Sequence, residues 1–486
     1  MIKPKQLSLN DIYADCLESF INDKPKFLSL LEEHLDINIL IPLSFKMHFN
    51  HHTGRPREYS LSAFILVLII QRIFTIPTDS LLIVFLTYSR ELREFCGFEK
   101  VPDASKFTRF KQDFKDDLKT MFDGLVDLTE PICQDIDSHL ASMTIFDTSG
   151  IEAYVQENNP KFVNTLIKKL KALKSAKGLV DYDPYKAAYT SMPSHAEADP
   201  AIKQMYINGH FCYSYKFGIV TNGLGIVRDI AFCDENYHIA HPEIPTSKKQ
   251  DSPDEDKSLA DSKALLPTLR DFFGKHPLIK PSVFIGDTAF DSAEIYTGLL
   301  GKNGLGFDKA FIPLNSAHNL KYPDCPINED GAPCCPNNPA LPMKPESSKS
   351  HLRCGMPTFK FVCPKMSWKQ CEDGKHRRRT SCKNPCTDSP CGRMVYIYPQ
   401  KELRTFPGTI RGTLEWDNTY KVRVTVEKSI NHFKDSFCVA GRKTRNALTS
   451  EADLYLAGIT QLVTVLLADN IHQHKYIRSL KPLISA

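Results

Sequence analysis

The chain has 486 residues, 42 % of them hydrophobic and 24 % charged. That length is enough for about three domains of roughly 150 residues and a sizeable core, and the composition excludes a disordered or fibrous protein. The formal net charge of +4 is small, so any surface for nucleic acid must be local rather than spread over the molecule.

Met1-Ile-Lys-Pro-Lys-Gln lacks the apolar core of a secretory signal. The longest apolar run, Ala63 to Ile70, falls far short of the ~20 residues that cross a bilayer. A cytoplasmic location with no membrane contact is expected. The 15 cysteines are then thiols or metal ligands rather than disulfides.

Residues 1–135 read as a helical domain. Leu61 to Phe74, Ser80 to Phe95 and Ser105 to Leu118 have helical length and apolar spacing, separated by Pro77 and by the stretch from Gly97 to Asp103. Asp103 precedes a basic and aromatic run of Lys106, Phe107, Arg109, Phe110 and Lys111. Such a helix pair suits either the reading of a DNA end or packing and dimerisation.

From about residue 136 the pattern turns to strands. Met143-Thr-Ile-Phe-Asp147 and Val283-Phe-Ile-Gly-Asp287 are apolar runs that end in a carboxylate. Strands of that kind are buried on both faces, and α/β sheets bind ligands at the carboxyl ends of their strands. Alone, an aspartate after a strand is more often a turn former or helix cap. The lysines from Lys161 to Lys177 suggest a solvated helix. Phe211 to Val220 and Gly225 to Phe232 flank Asn222-Gly223, a hairpin signal. A polar, acidic loop is expected from Lys248 to Asp261, a helix from Ala264 to Phe273 and a further strand from Lys309 to Pro313.

Helices from Asn418 to Phe437 and Ser450 to His472 close the chain. At about 100° per residue, Tyr420, Arg423, Glu427 and Lys434 share one sector of about 60°. Val426, Ile430, Phe433 and Phe437 form an apolar stripe beside it. A carboxylate flanked by two cations and a phenol suits a metal-bound phosphodiester. Glu427 ligates a hard cation, while Arg423, Lys434 and Tyr420 hold phosphate oxygens. A solvated helix laced with ion pairs is the simpler alternative; it explains the charge but not the combined face.

Tyr420-x2-Arg423-x3-Glu427-x6-Lys434 resembles the Tyr-Arg-Glu-Lys signature of bacterial insertion-sequence DDE transposases. Phe146-Asp147-Thr148-Ser149 and Gly286-Asp287-Thr288-Ala289-Phe290-Asp291 look like the strands that carry their two aspartates. The resemblance spans about residues 55 to 470 and is loosest in the N-terminal helices. It implies an α/β fold of ribonuclease-H type, a mixed five-stranded sheet with helices on both faces. The catalytic core is then discontinuous: 136–320, an insertion at 321–401, and 402–486 with the Glu helix. Asp147, Asp287 and Glu427 would be catalytic.

Three carboxylates favour two Mg²⁺ or Mn²⁺ ions for in-line displacement, first with water and then with a 3′-hydroxyl as nucleophile. Tyr420 as a covalent nucleophile would leave the aspartates unexplained. The implied partners are double-stranded DNA, as terminal inverted repeats and target, and a second copy of the chain on that DNA. The remaining readings are a DNA-binding descendant without catalysis and a nuclease that cuts without joining. Asp291 and Asp417 rank below the chosen carboxylates.

Nine cysteines lie between Cys325 and Cys391. Cys371, Cys382, Cys386 and Cys391 suggest a structural zinc site, although tidy Cys-x2-Cys pairs are missing. Lys375 to Arg379 form a basic patch for phosphates. The resemblance implies that Trp368 stacks on an unpaired base, whereas a Trp in a small domain is more often core.

Overall fold

The computed structural model describes residues 26–484 except 51–56, 179, 208, 246–247, 249–257, 316–320, 323–324, 329–330, 348–350, 354–355, 399–402 and 443. The N-terminal hexapeptide, most of the acidic loop before Asp261 and Cys354 lie outside the described residues.

Side-chain caps start the N-terminal helices. Ser60 Oγ accepts from the Ala63 amide at 3.1 Å and begins Leu61–Ile73. Thr78 Oγ1 accepts from the Leu81 amide at 3.1 Å and begins Asp79–Tyr88. The single helix expected over Ser80 to Phe95 is two. Ser89 leaves helical geometry at φ −103°, ψ 106° and caps Arg90–Phe95 through the Leu92 amide. The helix expected over Ser105 to Leu118 also divides. Ala104–Asp113 stops at Phe114 and Lys115–Ala141 follows. Phe107, Phe110 and Lys111 turn inward, whereas Lys106 and Arg109 stay exposed.

Seven strands form the main sheet: β1 Met143–Glu152, β2 His195–Ala196, β3 Asp199–Ile207, β4 His210–Thr221, β5 Val227–Phe232, β6 Val283–Ile285 and β7 Lys309–Phe311. β4 is the long member. One edge pairs antiparallel with β1 from Ser214 to Thr221. Its other edge is divided, the N-terminal half pairing with β3 and the C-terminal half with β5, both antiparallel. β6 joins β1 in parallel, and β7 joins β6 in parallel. The central order is therefore β5–β4–β1–β6–β7, with antiparallel pairs on one side of β1 and parallel pairs on the other.

The hairpin at Asn222-Gly223 exists, but its loop is longer than a two-residue turn. Asn222 N–H donates to the Ile226 carbonyl at 3.0 Å, and Gly225 takes the left-handed φ of 76° inside the loop. Gly223 is fixed by something distant in sequence: its N–H donates to the Leu140 carbonyl at 2.8 Å.

Strand alternation divides the core between two faces. Phe146, Val220 and Ala231 pack with helices Asp261–Lys275 and Ala293–Leu300. Ile145, Phe217, Ile219 and Ile230 point the other way, into a core shared with Lys115–Ala141, Val424–Asn431 and Ala447–Asn470. The Ala447–Asn470 helix is long and apolar enough to cross a membrane, but its apolar window is wholly buried within the protein. The N-terminal helices pack on it and share its core.

A buried charge cluster joins the same parts. Asp453 accepts from Arg72 at 2.7 Å and lies 3.1 Å from the Lys111 ammonium and 3.4 Å from the Arg442 guanidinium. Asp79 pairs with Lys111 at 2.9 Å and with Arg442 at 3.2 Å. Burial opposes the charge on Asp453, but Arg442, Lys111 and Arg72 together hold its carboxyl below the usual carboxylate range. Burial likewise lowers Arg72 to about 10.

Between β7 and the Glu helix the chain forms short strands with a small core of their own, including Met343, Phe359, Phe361, Val395, Ile397 and Phe406. An antiparallel ribbon, Met366–Gln370 with His376–Thr380, projects from it.

Candidate functional site

The site forms where β1 and β6 part. Their parallel pairing ends at Ile145 opposite Ile285. Asp147 and Asp287 each lie two residues beyond, so both carboxylates sit at the same level of the sheet. β1 itself does not end at Asp147, as the sequence pattern suggests; it continues to Glu152 along β4. Asp287 caps a short 3-10 turn, accepting from the Thr288 amide at 2.6 Å.

Glu427 arrives from the other end of the chain. The helical stretch begins earlier than the expected Asn418, at Leu414, because Thr413 Oγ1 accepts from the Trp416 amide at 3.2 Å. It tightens to 3-10 geometry over Lys421–Arg423, is α-helical over Val424–Asn431 and widens to a π turn over His432–Ser436. The apolar stripe is buried as a unit: Val426, Ile430, Phe433 and Phe437 all face the core. Burying that stripe fixes the roll of the helix and turns Arg423 and Glu427 toward the aspartates.

Arg423 ties the site together. It donates to Glu427 at 2.7 Å and lies 3.3 Å from Asp287. Burial works against its charge, but Asp287, Tyr420, Glu427 and Asp147 hold its pKa above the ordinary arginine value. Burial pushes the Asp147 carboxyl up to about 6; the Thr148 amide and Arg423 oppose this, and Asp261 and Asp287 add to it. Burial also raises the Tyr420 phenol, whose charged neighbours are Arg423, Asp287, Glu427 and Asp147. Lys434, at the π turn, is buried and lowered by that burial, within electrostatic reach of Cys212, Asp435 and Asp147.

Tyr420, Arg423, Glu427, Asp147 and Asp287 thus form one cluster, with Lys434 on the Asp147 side. The three carboxylates do not close to a common ligand distance: among the described residues they are not a set with donor atoms within 4.8 Å of one another. The Arg423 guanidinium bridges Asp287 and Glu427 in the manner of a cation. An oxygen-only donor set around the half-buried Asp147 suits a hard divalent ion.

Sequence reasoning missed Asp261 and Lys216. Thr148 Oγ1 donates to Asp261 Oδ1 at 2.5 Å, and the buried Lys216 ammonium pairs with the same carboxylate and with the Leu259 carbonyl. These contacts bind the chain after Asp147 to the start of Asp261–Lys275. Their sequence separations of 113 and 45 residues leave no local signal. Asp291, ranked below the three carboxylates, takes two hydrogen bonds from Arg404, at 2.9 and 2.5 Å, and one from the Asn315 amide at 2.7 Å. Asp417 is exposed.

The zinc set expected in the insertion, Cys371, Cys382, Cys386 and Cys391, lies among the described residues. Among the described residues, no three donors there lie within 4.8 Å of one another. Cys382 Sγ donates to the Asn384 carbonyl at 3.3 Å, and Cys386 is hydrogen-bonded with Cys335. Trp368 is exposed on the ribbon, opposite Arg378, whose guanidinium lies 4.9 Å from the ring centre. None of the residues from Pro160 to Lys177 is buried, which accords with a solvated lysine helix.

Residues 15–113 match a family described as a transposase domain (DUF772). No curated protein and no solved structure gives a match. The family match covers the N-terminal helices through Asp113 and ends before β1, so it includes none of Asp147, Asp287 and Glu427. At that level the N-terminal helices are similar to a transposase domain.

Proposed function

We propose that this protein is a DDE transposase that cuts DNA at the ends of a mobile element and joins the freed ends to a target. The observation that carries the reading is the Arg423 bridge from Glu427 to Asp287, beside Asp147, at the divergence of two parallel strands. The strand order β5–β4–β1–β6–β7 supports a core of ribonuclease-H type. The transposase-domain match in the N-terminal helices supports the same class of function independently.

Asp147, Asp287 and Glu427 would hold Mg²⁺ or Mn²⁺, which supplies an activated oxygen nucleophile and stabilises the leaving oxygen. Arg423 then exchanges its carboxylate partners for phosphate oxygens, for which its planar fork is suited. Tyr420 keeps its proton, raised by burial, and donates to a phosphate. Lys434 adds a buried positive charge on the Asp147 side, where charge develops on the phosphoryl group. Lys216 and Asp261 act at one remove by fixing Thr148 next to Asp147. Exposed Trp368 and its neighbouring arginines supply a stacking and phosphate surface for DNA. Joining two element ends in one event calls for two copies of the chain on the DNA, in the cytoplasm.

The test uses duplex DNA carrying the repeats that flank the reading frame, with Mg²⁺ or Mn²⁺, and compares wild type with Glu427→Gln. Metal-dependent cutting and joining of 3′-hydroxyl ends in the wild type, lost in the variant with DNA binding intact, is expected. Equal cutting by both proteins would remove Glu427 from the site. Binding without cutting in either would make the chain a DNA-binding descendant, and cutting without joining would make it a nuclease.

A further inference from the structure

At the far end of β1, away from the carboxylate cluster, three different ligand types meet. Glu152 is the last residue of β1 and stands opposite Ser214 of β4. Alternation along β4 puts His210, Cys212 and Ser214 on one face, and a residue shares its face with its cross-strand partner. Glu152, Cys212 and His210 are therefore neighbours on a single face of the β1–β4 pair. One donor atom from each lies within 4.8 Å of the other two.

We propose that Glu152, His210 and Cys212 form a zinc site that staples the end of β1 to the start of β4. A thiolate, an imidazole and a carboxylate together match zinc, whereas Mg²⁺ and Ca²⁺ take oxygen donors only. The spacing also fits. Metal–donor bonds of about 2.0–2.3 Å in a tetrahedron place donors about 3.3–3.8 Å apart. His210 Nε2 and Glu152 Oε2 are 3.9 Å apart, too far for a hydrogen bond and close to that edge length. The donor atoms need draw together by no more than about 1.5 Å. Glu152 and His210 are both more than half exposed, while Cys212 is buried and anchors the set.

Binding replaces the Cys212 S–H bond with an S–Zn bond and releases the proton to water. Three protein ligands leave a fourth position for water. Glu152 lies five positions beyond Asp147, about 17 Å of extended strand, so this ion is separate from any at the carboxylate cluster. Its role is to hold in place the strand that carries Asp147, and the inference does not depend on the proposed chemistry.

The measurement is zinc content of the full-length protein after dialysis against buffered zinc with a thiol-free reductant, for wild type, Cys212→Ser, His210→Ala and Cys382→Ser. Circular dichroism confirms that each variant is folded. Cys212→Ser and His210→Ala should each bind one zinc fewer than wild type, or bind it at least about 100-fold more weakly, beyond the 10–100-fold typical of losing an outer-shell partner. Cys382→Ser, in the insertion, should retain that ion. Equal zinc in wild type, Cys212→Ser and His210→Ala would overturn the site, as would a wild-type protein that binds none.

Discussion

Replacing Asp453 with Asn tests whether the charge cluster beneath the N-terminal helices stabilises the fold. The cluster holds three cations, Arg72, Lys111 and Arg442, against two anions, Asp79 and Asp453. All but Asp79 are nearly inaccessible to water. Neutralising Asp453 leaves Asp79 as the one anion facing three buried cations. Removing one partner from a buried pair costs about 3–5 kcal/mol, because the charge left behind is uncompensated. The amide that replaces the carboxylate keeps an oxygen for Arg72, which places the expected loss near 3 kcal/mol, at about the low end of that range. With m near the top of the 1–3 kcal/mol/M range, the urea midpoint should fall by about 1 M with m unchanged. The assay is urea unfolding followed by circular dichroism, with Glu427→Gln as control. The Glu427 side chain is 44 % exposed, so its substitution should leave the midpoint unmoved. A shift below about 0.3 M for Asp453→Asn, roughly 1 kcal/mol, would refute the reasoning.

Two other substitutions follow from particular side chains. Burial, aided by Lys481, lowers His432 to about 4, and its Nε2 is buried with no hydrogen-bond partner among the described residues. A histidine lowered this way stabilises the fold above the unfolded value of about 6.5 and loses that contribution as pH falls toward 4, up to about 3 kcal/mol. His432→Phe should therefore be less sensitive than wild type between pH 6.5 and 4 in thermal unfolding; parallel curves would count against the buried imidazole as the cause. Trp368→Ala should weaken binding to single-stranded DNA by about 1–3 kcal/mol in a fluorescence titration, if the exposed ring stacks on a base. Unchanged affinity would leave Trp368 without that role.

Much of the candidate site was legible because one helix carries it. Its four polar positions and its apolar stripe repeat with the helical period, and burial of Val426, Ile430, Phe433 and Phe437 sets the roll. The two aspartates were legible because apolar strand runs lead up to them. The 3-10 and π segments on either side of Glu427 were not legible, since they arise from how the helix fits the sheet. In sequence Lys111 is one of a basic and aromatic run; it is buried because Asp79 and Asp453 compensate its charge from elsewhere in the chain.

The sequence by itself determined the helical periods, the strand-end carboxylates and the Tyr-Arg-Glu-Lys spacing, because each depends on residues a few positions apart. Tertiary structure decided the division of β4 between β3 and β5, the Lys216–Asp261–Thr148 linkage and the meeting of Glu152 with His210 and Cys212. Those depend on strand register and on contacts between distant segments. A one-residue slip between β1 and β4 would put Glu152 on the face opposite His210 and Cys212 without altering any local pattern.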